Sequence, residues 1–282
     1  IFSTIIFRET DILLKILPRL VYVVIVIQKI LPLFQNIYNS WTNINANYES
    51  LNDLIPYVSY KKKSNINKFK ILEFDEIKIT NLSFSFNNKN YLFKNFNLNL
   101  KSGKSYHFIA PSGKGKSTLI DLLLGLIPPT KGAINYLIKG KKIKANDIDF
   151  SEFVSYVPQS TFFFDGYLRE CLNTPYTKWN FSESEIIQVL EIVKLKKDFE
   201  QNNLFLNSYV SNNISILSGG QKQRLAIAQA LLNKNLRLLI LDETLSMVDQ
   251  DLSSSIINLI NQAYPRLTII LISHDPSFIP DY

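Results

Sequence analysis

The sequence predicts an α/β fold built around a parallel sheet. Two runs near its C-terminal end, "LRLLILDE" and "LTIILISHD", are continuously apolar, as strands buried on both faces of a parallel sheet are. Segments with helical periodicity lie between the candidate strands. A stretch rich in glycine and lysine, "HFIAPSGKGKSTLIDLLLG", joins an apolar strand directly to an apolar helix. This alternation of strands and helices is typical of the α/β class.

The composition favours a folded chain with an anionic partner. At 282 residues, 46% of them hydrophobic, the chain can bury a core, and disorder throughout is excluded. The formal net charge of +7 suits a nucleotide, anionic lipid head groups or nucleic acid, and charge does not choose among them. The single cysteine, Cys171, allows no internal disulfide, so we expect a reducing compartment. With only two histidines in addition, the sequence argues against a structural zinc site.

The N-terminal segment leaves two alternatives open. Residues 13–34 are strongly apolar, but basic side chains interrupt them and the longest uncharged run is Leu20 to Gln28. A membrane-spanning helix requires about 18 nearly uncharged residues, and this segment does not meet that requirement. Hydropathy therefore favours a buried helix as much as a membrane helix. The basic run Lys61 to Lys63 follows, which is typical of the cytoplasmic flank of a membrane helix and equally of a solvated linker.

The middle of the chain contains further candidate strands and helices. Alternating polar and apolar residues predict a half-buried strand in "EIKITNLSFSF" and, after a turn, a second strand in "YLFKNFNLNL". An apolar third strand, "KSYHFIA", leads into the glycine-rich stretch. We expect one helix at "STLIDLLLGLI", closed by two prolines, and another at "FSESEIIQVLEIVKL", which opens with a capping box of Ser182 and Glu185.

The stretch "APSGKGKST" has the residues that a phosphate-binding loop requires. Gly113 and Gly115 let the backbone wrap around phosphate oxygens, and the amides at the start of the following helix face the anion. Lys116 reaches the terminal phosphates, and the Ser117 hydroxyl is able to ligate magnesium. Ala110 stands where the general pattern has glycine, which costs little if the loop needs ordinary dihedral angles there. The candidate phosphate-binding residues are Pro111, Ser112, Gly113, Lys114, Gly115, Lys116, Ser117 and Thr118.

Two further motifs each supply part of a nucleotide site. Asp242 and Glu243 end a buried strand, at the edge where open α/β sheets bind ligands. Asp242 is able to hold magnesium, and Glu243 is able to polarise an attacking water. In "LSGGQ", Ser218 and two glycines open a helix whose amides form a second anion site, although the same residues also make an ordinary helix cap. One bound nucleotide needs only one such helix start, so two of them exceed the requirement of a single nucleotide.

These motifs together resemble the ATP-binding cassette domain of ABC transporters, over about residues 76–275. The phosphate loop, the signature sequence LSGGQ and the acidic pair occur in the family's order. The resemblance implies a phosphate-loop ATPase fold with a mixed sheet core, an antiparallel β subdomain and an α-helical subdomain that carries the signature. It also implies ATP and Mg²⁺ as cofactors, with Ser117, Gln159 and Asp242 as metal ligands.

The resemblance implies roles for individual residues. Phe86 matches the aromatic residue that stacks on adenine, although it is otherwise simply a strand aromatic. Asp249 matches the aspartate of the D-loop, a conserved loop that precedes a helix, and His107 has no counterpart, so we interpret it as a strand residue. The implied catalytic residues are Lys116, Gln159, Glu243 and His274. The signature residues implied to contact nucleotide are Ser218, Gly219, Gly220 and Gln221.

The N-terminal segment resembles the last transmembrane helix and cytoplasmic extension of exporter-type ABC proteins that fuse membrane and ATPase domains. We therefore divide the chain into a transmembrane remnant at 1–60, a linker at 61–75 and an ATP-binding domain at 76–282, truncated at its C-terminal end. The resemblance implies a membrane protein whose ATPase domain lies on the cytoplasmic side of the plasma or inner membrane. We expect a longer protein, whose missing part selects the exported substrate.

The sequence thus predicts the ATPase of an exporter in which two copies associate head to tail, each ATP lying between the phosphate loop of one and the LSGGQ of the other. The expected partners are ATP, a second copy, the transmembrane domain of the same chain and the membrane, with no nucleic acid. One alternative is a soluble cassette ATPase acting on DNA or ribosomes, but no sustained heptad repeat separates Lys116 from Ser218 as a long coiled coil would. The other is a nucleotide-binding module without turnover, if Ala110 or the atypical D-loop prevents hydrolysis.

Overall fold

The computed structural model describes residues 2–59, 68–87, 90–111, 113–163, 165–173, 181–210 and 217–274. Its helices are α1 Phe2–Ser59, α2 Lys116–Leu123, α3 Leu168–Leu172, α4 Glu183–Ile192, α5 Lys196–Gln201, α6 Gly219–Leu231 and α7 Gln250–Ala263. Its strands are β1 Phe69–Lys70, β2 Glu76–Phe84, β3 Phe93–Lys101, β4 Ser105–Ile109, β5 Lys131–Ile138, β6 Lys141–Lys144, β7 Ile148–Asp149, β8 Val154–Val157, β9 Gly166–Tyr167, β10 Tyr209–Val210, β11 Leu238–Asp242 and β12 Thr268–Ser273. These elements belong to two compact units, Ile1–Ile66 and Asn67–Tyr282. The basic run at 61–63, Ser112 and residues 275–282 lie outside the described residues.

A four-stranded parallel sheet, in the order β4-β12-β11-β8, forms the centre of the second unit. β11 and β12 are its inner strands, and their apolar runs are continuous because alternate side chains enter two different cores. Ile240 packs into one hydrophobic core, whereas Leu239 and Leu241 pack into the other. The predicted α/β class, with two strands buried on both faces of a parallel sheet, is confirmed.

The two cores lie on opposite faces of this sheet. The first core joins the sheet to α2, through Leu122 and Leu123, and to the antiparallel strands, through Ile77. The second core joins the other face to α4, α6 and α7, through side chains such as Leu225 and Ile256. Because both faces are covered, the inner strands β11 and β12 are buried almost to their ends, and the parallel strands are held as a rigid platform.

A second four-stranded sheet, in the order β3-β2-β5-β6, is antiparallel throughout. The expected antiparallel subdomain is therefore present. Register shifts interrupt β2 between Ile79 and Leu82, where Asn81 has a positive φ of 49°. At this irregularity Gly132 of β5 approaches the backbone of β2 so closely that a side chain would not fit.

The helices confirm one predicted boundary and correct another. Ser182 and Glu185 form the expected capping box, with the Ser182 amide donating to Oε2 of Glu185 at 2.8 Å. Hydrogen bonds from Lys234 and Ser182 lower the pKa of Glu185 to about 2. The helix expected to run to the paired prolines ends at Leu123 instead, because Gly125 takes a left-handed φ of 61° and turns the chain.

The first unit consists largely of α1, a helix of 58 residues. Within the described residues, one stretch, Pro18–Asp53, is long and apolar enough to cross a membrane, and its apolar window is not buried. Phe34 and Trp41 are among the large side chains that it exposes. The stretch has the length and apolar composition of a membrane-spanning helix, which core helices of soluble proteins can share. A membrane location is therefore a proposal.

Gly132 and Gly140 provide a test of the close packing between β2 and β5. A methyl group at Gly132 would lie 2.4 Å from the carbonyl oxygen of Asn81, and its φ of +82° is one that L residues rarely adopt. Because a backbone oxygen cannot yield without disturbing the strand pairing, we expect Gly132→Ala to lower the free energy of unfolding by about 3 to 5 kcal/mol.

Gly140→Ala is the matched control for this prediction. Gly140 has a similar φ of +79°, but no atom lies within 4 Å of the position of its added methyl group. Its cost should therefore be the dihedral strain alone, about 1 to 2 kcal/mol. Urea denaturation of both variants in detergent micelles measures the difference, and equal losses would contradict the steric explanation.

Candidate active site

The phosphate loop lies between β4 and α2, at the carboxyl end of the parallel strands. Gly113 and Gly115 have φ of 76° and 92°, which glycine adopts without strain. Ala110 is not among the described residues with positive φ, so the dihedral condition for tolerating alanine there is met. α2 begins at Lys116, and the amides of its first turn are the free donors of a helix start. Pro111, Gly113, Lys114 and Ser117 are exposed, and Gly115, Lys116 and Thr118 are partly buried.

Phe86 lies just beyond β2, on a turn that contacts the phosphate loop. Its ring is 78% exposed and meets Phe84 edge to face, with 4.9 Å between ring centroids. The Leu92 amide donates to the carbonyl of Phe84 at 2.8 Å, which closes this turn. The side chain of Leu92 in turn covers Gly115, since a Cβ there would lie 2.6 Å from Leu92 Cδ2. The turn that packs on the phosphate loop thus also carries the exposed ring of Phe86.

Glu243 is the point at which the other candidate catalytic residues meet. Its Oε1 lies 2.9 Å from Nζ of Lys116, which also donates to the carbonyl of Ala110 at 2.8 Å. Its Oε2 accepts a 2.7 Å hydrogen bond from Nε2 of Gln159 and lies 3.6 Å from Nδ1 of His274. Three side chains from three separate segments of the chain are therefore brought to one carboxylate.

The Glu243 carboxylate is held in its ionised form. Its side chain is 12% exposed and that of Lys116 is 10% exposed, so the two charges are largely shielded from water. The hydrogen bond from Lys116 is the main cause that lowers the pKa of Glu243; burial opposes it, and the charges of Lys116 and His274 add to it. While this contact persists, Glu243 is a weaker base than an ordinary glutamate.

The backbone at Glu243 adopts an unusual conformation. Its φ of 50° lies in the left-handed region, which costs a residue with a Cβ about 1 to 2 kcal/mol. Two hydrogen bonds hold it there: the Glu243 amide donates to the carbonyl of Ile272 at 2.9 Å, and Oγ1 of Thr244 donates to the carbonyl of Val157 at 2.8 Å. Strain that neighbouring strands enforce is common where a side chain must point into an active site.

Asp242 is hydrogen-bonded to a residue that the sequence did not single out. The Tyr156 hydroxyl donates to Oδ2 of Asp242 at 2.9 Å. Burial, together with this bond to a carboxylate, raises the pKa of Tyr156, so the hydroxyl keeps the proton that it donates. The motif around Gln159 points to this strand, but only the pairing of β8 with β11 places Tyr156 beside Asp242.

Three candidate ligands of the site carry oxygen donors of the kind that Mg²⁺ prefers. Ser117 offers a hydroxyl, Asp242 a carboxylate and Gln159 an amide oxygen, and hard divalent cations prefer such ligands. Within the described ranges, no group of three or more His, Cys, Asp or Glu side chains could hold a metal by itself. In general, Mg²⁺ in nucleotide sites keeps several waters and takes its remaining ligands from phosphates.

The signature residues form a helix cap on the protein surface. Ser218 is the N-cap of α6: its Oγ accepts from the amide of Gln221 at 3.2 Å, and its amide donates to Gln221 Oε1 at 2.9 Å. Ser218 thus caps α6, as the alternative interpretation of these residues predicts. The start of the helix, at Ser218 and Gly219, is exposed. Among the described residues, no hydrogen bond or ion pair joins Ser218, Gly219, Gly220 or Gln221 to the phosphate loop of the same chain.

The loop before α7, which contains the D-loop residue Asp249, is anchored by α6. Asp249 is exposed and its side chain makes no cap hydrogen bond. Gln223, only 2% exposed, accepts from the amide of Met247 at 3.0 Å and donates to Oγ of Ser246 at 3.3 Å. The sequence analysis missed Gln223, although it stands two residues after the signature. His107 lies in β4 as expected.

The fold and these contacts define a phosphate-loop ATPase, in which a lysine and a glutamate meet at the end of a parallel sheet. A family profile described as ABC transporter matches residues 93–246. Since this is more than half of the chain, the chain belongs to the ABC transporter family and contains its ATP-binding domain. The structure of a bacterial Atm1-family ABC exporter with ATP bound superposes with a TM-score of 0.67 over 84% of this chain and 41% of that one. At 21% identity, that likeness shows the fold alone.

Curated relatives include bacterial export proteins. The lactococcin-A transport/processing ATP-binding protein LcnC of Lactococcus lactis subsp. lactis is 31% identical over 229 residues, which is 80% of this chain and 31% of that protein. The microcin-J25 export ATP-binding/permease protein McjD of Escherichia coli is 31% identical over 220 residues, which is 78% of this chain and 35% of that protein. The chain thus spans about a third of the length of these relatives.

Substitutions in the phosphate loop test its assignment. Lys116→Ala removes the ammonium group that would hold the terminal phosphates, so we expect ATP binding to be lost. Ala110→Gly should change the dissociation constant by less than about tenfold, or 1.4 kcal/mol, because the backbone there needs no positive φ. Titration with a fluorescent ATP analogue measures both effects. Lys70→Ala, which removes an exposed ion pair with Glu152, is the control, and unchanged binding by Lys116→Ala would refute the loop assignment.

Proposed function

We propose that this chain is the ATP-binding and ATP-hydrolysing part of a membrane exporter, in which two copies act together. The observation that supports this most directly is the convergence of Lys116, Gln159 and His274 on Glu243, the candidate base. A site that only binds nucleotide needs the lysine but not a carboxylate shared with two further polar side chains. The names of the relatives LcnC and McjD, which specify transport and export, support the exporter role.

Nucleotide binding would begin with an exchange of partners at Lys116. The terminal phosphates of ATP attract the ammonium group that Glu243 holds at 2.9 Å in this structure. As Lys116 turns to the phosphates, Glu243 loses the hydrogen bond that chiefly lowers its pKa and becomes a stronger base. Binding of ATP would therefore raise the basicity of the residue that hydrolysis requires. Before ATP binds, the contact with Lys116 keeps Glu243 ionised.

Hydrolysis would proceed by attack of water on the γ-phosphorus. Glu243 accepts a proton from the water as the new oxygen–phosphorus bond forms and the bond to the bridging oxygen of ADP breaks. Lys116 and the amides of the first turn of α2 stabilise the charge on the phosphate oxygens, and His274 orients the γ-phosphate. Ser117, Gln159 and Asp242 would hold Mg²⁺, which neutralises phosphate charge when it is bound.

Assembly of two copies follows from the position of the signature. Ser218 and Gly219 are exposed at the start of α6, whose free amides and positive dipole suit an anion. The part of the phosphate loop that the structure describes has no hydrogen bond or ion pair with these residues, so the signature would be available to a nucleotide held by a second copy. A symmetric head-to-tail pair would bring each signature to the other copy's loop, with Asp249 near the shared surface.

The membrane location is supported by α1. Its stretch Pro18–Asp53 satisfies the length and composition of a span, and large apolar side chains such as Phe34 are exposed on it. Insertion of this stretch in a bilayer would place those side chains in lipid or against other helices. The ATPase domain would then lie on the cytoplasmic side, where ATP is available. We expect the choice of exported molecule to depend on parts of the protein outside the third that is matched here.

Glu243→Gln tests the catalytic assignment. The amide keeps the size of the side chain but removes its basicity, so we expect ATP hydrolysis to fall by about 10² to 10⁴-fold, the usual worth of a positioned general base. ATP binding should survive, and the variant should accumulate as an ATP-bound dimer. Steady-state phosphate release and size-exclusion chromatography with ATP, Mg²⁺ and detergent measure the two consequences.

The control for that experiment is Glu191→Gln, which alters only an exposed ion pair with Lys196. Its turnover should equal that of the parent. Hydrolysis by Glu243→Gln at near-parental rate would transfer the role to His274, the remaining candidate near the γ-phosphate. Binding of ATP by the parent without any turnover would instead favour the alternative of a nucleotide-binding module.

Ser218→Arg tests the two-copy site. A long cationic side chain at the helix start should block the approach of the second copy, so we expect ATP-dependent dimerisation to be lost while the monomer still binds ATP. Ser182→Arg is a matched control, because Ser182 caps α4 with the same capping box but lies outside the proposed interface. Multi-angle light scattering in detergent with ATP decides, and normal dimerisation of Ser218→Arg would exclude the head-to-tail arrangement.

A further inference from the structure

Strand β8 and the segment that follows it contact the acidic pair at the end of β11 through two side chains. Tyr156 donates to Asp242 at 2.9 Å, and three residues later Gln159 donates to Glu243 at 2.7 Å. The pairing of Tyr156 with Ile240 in the parallel sheet fixes the backbone from which the tyrosine projects. The strand that leads to Gln159 therefore also holds the neighbouring acidic residue, by a contact that the proposed mechanism has not used.

We propose that Tyr156 is a positioning residue for the magnesium site, because its hydroxyl fixes the orientation of the Asp242 carboxylate. The inference rests on the proposed function, in which Asp242 is a magnesium ligand. With Oδ2 engaged by the hydroxyl, the Asp242 carboxylate presents Oδ1 to the cation or to one of its waters. In the part of the chain that the structure describes, Oδ1 of Asp242 carries no hydrogen bond.

The geometry of the contact suits this role. A hydroxyl that donates to a carboxylate makes a charge-assisted bond, which is stronger than a bond between neutral groups. Tyr156 is 45% exposed, so it is not part of the buried core. Partners of this kind orient carboxylate ligands, and their loss usually costs about 10 to 100-fold in metal affinity.

The position of Tyr156 also links the cation to the segment of Gln159. Both residues lie on one continuous stretch of the chain, so the hydroxyl bond to Asp242 and the amide bond to Glu243 are held by the same backbone segment.

The experiment measures the effect of Mg²⁺ on nucleotide affinity, not turnover. A fluorescent ATP analogue is titrated into the 282-residue chain in detergent, once with EDTA and then at increasing Mg²⁺. For Tyr156→Phe we expect an unchanged affinity in EDTA, within about twofold, and an increase of about 10 to 100-fold in the Mg²⁺ concentration that gives the half-maximal effect. Tyr106→Phe loses a hydroxyl that donates to the Lys101 carbonyl at 3.2 Å and accepts from the Lys101 amide at 2.5 Å, and it should match the parent in both conditions.

A second variant separates positioning from a general loss of structure. Asp242→Asn removes the charge of the ligand, and in that background Tyr156→Phe should have no further effect on the Mg²⁺ dependence, since coupled residues are not additive. A Tyr156→Phe chain with parental Mg²⁺ dependence would overturn the inference, as would an equal loss of affinity in EDTA. If Mg²⁺ had no effect on nucleotide affinity in the parent, the proposed function would fail too. If the parent responded to Mg²⁺ and Tyr156→Phe responded equally, only the inference about Tyr156 would fail.

Discussion

The ion pair between Lys116 and Glu243 is the contact on which the rest of the site depends. It joins the first turn of α2 to the end of β11 across 2.9 Å, and both side chains are nearly buried. Removing one partner of such a pair leaves an uncompensated charge, which is why the lysine and the glutamate must exchange partners together. In the proposed mechanism, phosphate oxygens would replace Glu243 as the partner of Lys116, and the same exchange would restore the basicity of Glu243. Binding of ATP and activation of the base would then be one electrostatic event.

The parallel sheet makes this contact possible by delivering its members from separate parts of the chain. β11 ends at Asp242, β12 ends just before His274, and β8 is followed closely by Gln159. All three strands are parallel, so their carboxyl ends meet at one edge. The two cores on either side prevent the strands from sliding. That rigidity also sustains the left-handed backbone at Glu243, whose cost would otherwise be relieved by a local rearrangement.

The sequence could predict those features that depend on local pattern. Continuous apolar runs gave β11 and β12, the capping box gave the start of α4, and the glycines with Lys116 gave the phosphate loop. It could not reveal Tyr156, because the bond to Asp242 depends on the register between two strands that are far apart in the chain. The end of α2 was placed too late for another reason: the prolines were given more weight than Gly125, whose left-handed turn stops the helix first.

The glycines of the signature serve two requirements at once. At Gly220 a Cβ would lie 2.7 Å from the carbonyl oxygen of Met247, and at Gly219 it would lie 2.5 Å from the Met247 sulfur. The start of α6 therefore needs small residues to accommodate the loop before α7, whether or not a phosphate approaches. A substitution at Gly220 would disturb this packing and the proposed anion site together. Because Gln223 ties α6 to the same loop, a nucleotide at the signature and the residue Asp249 would respond to each other through this contact.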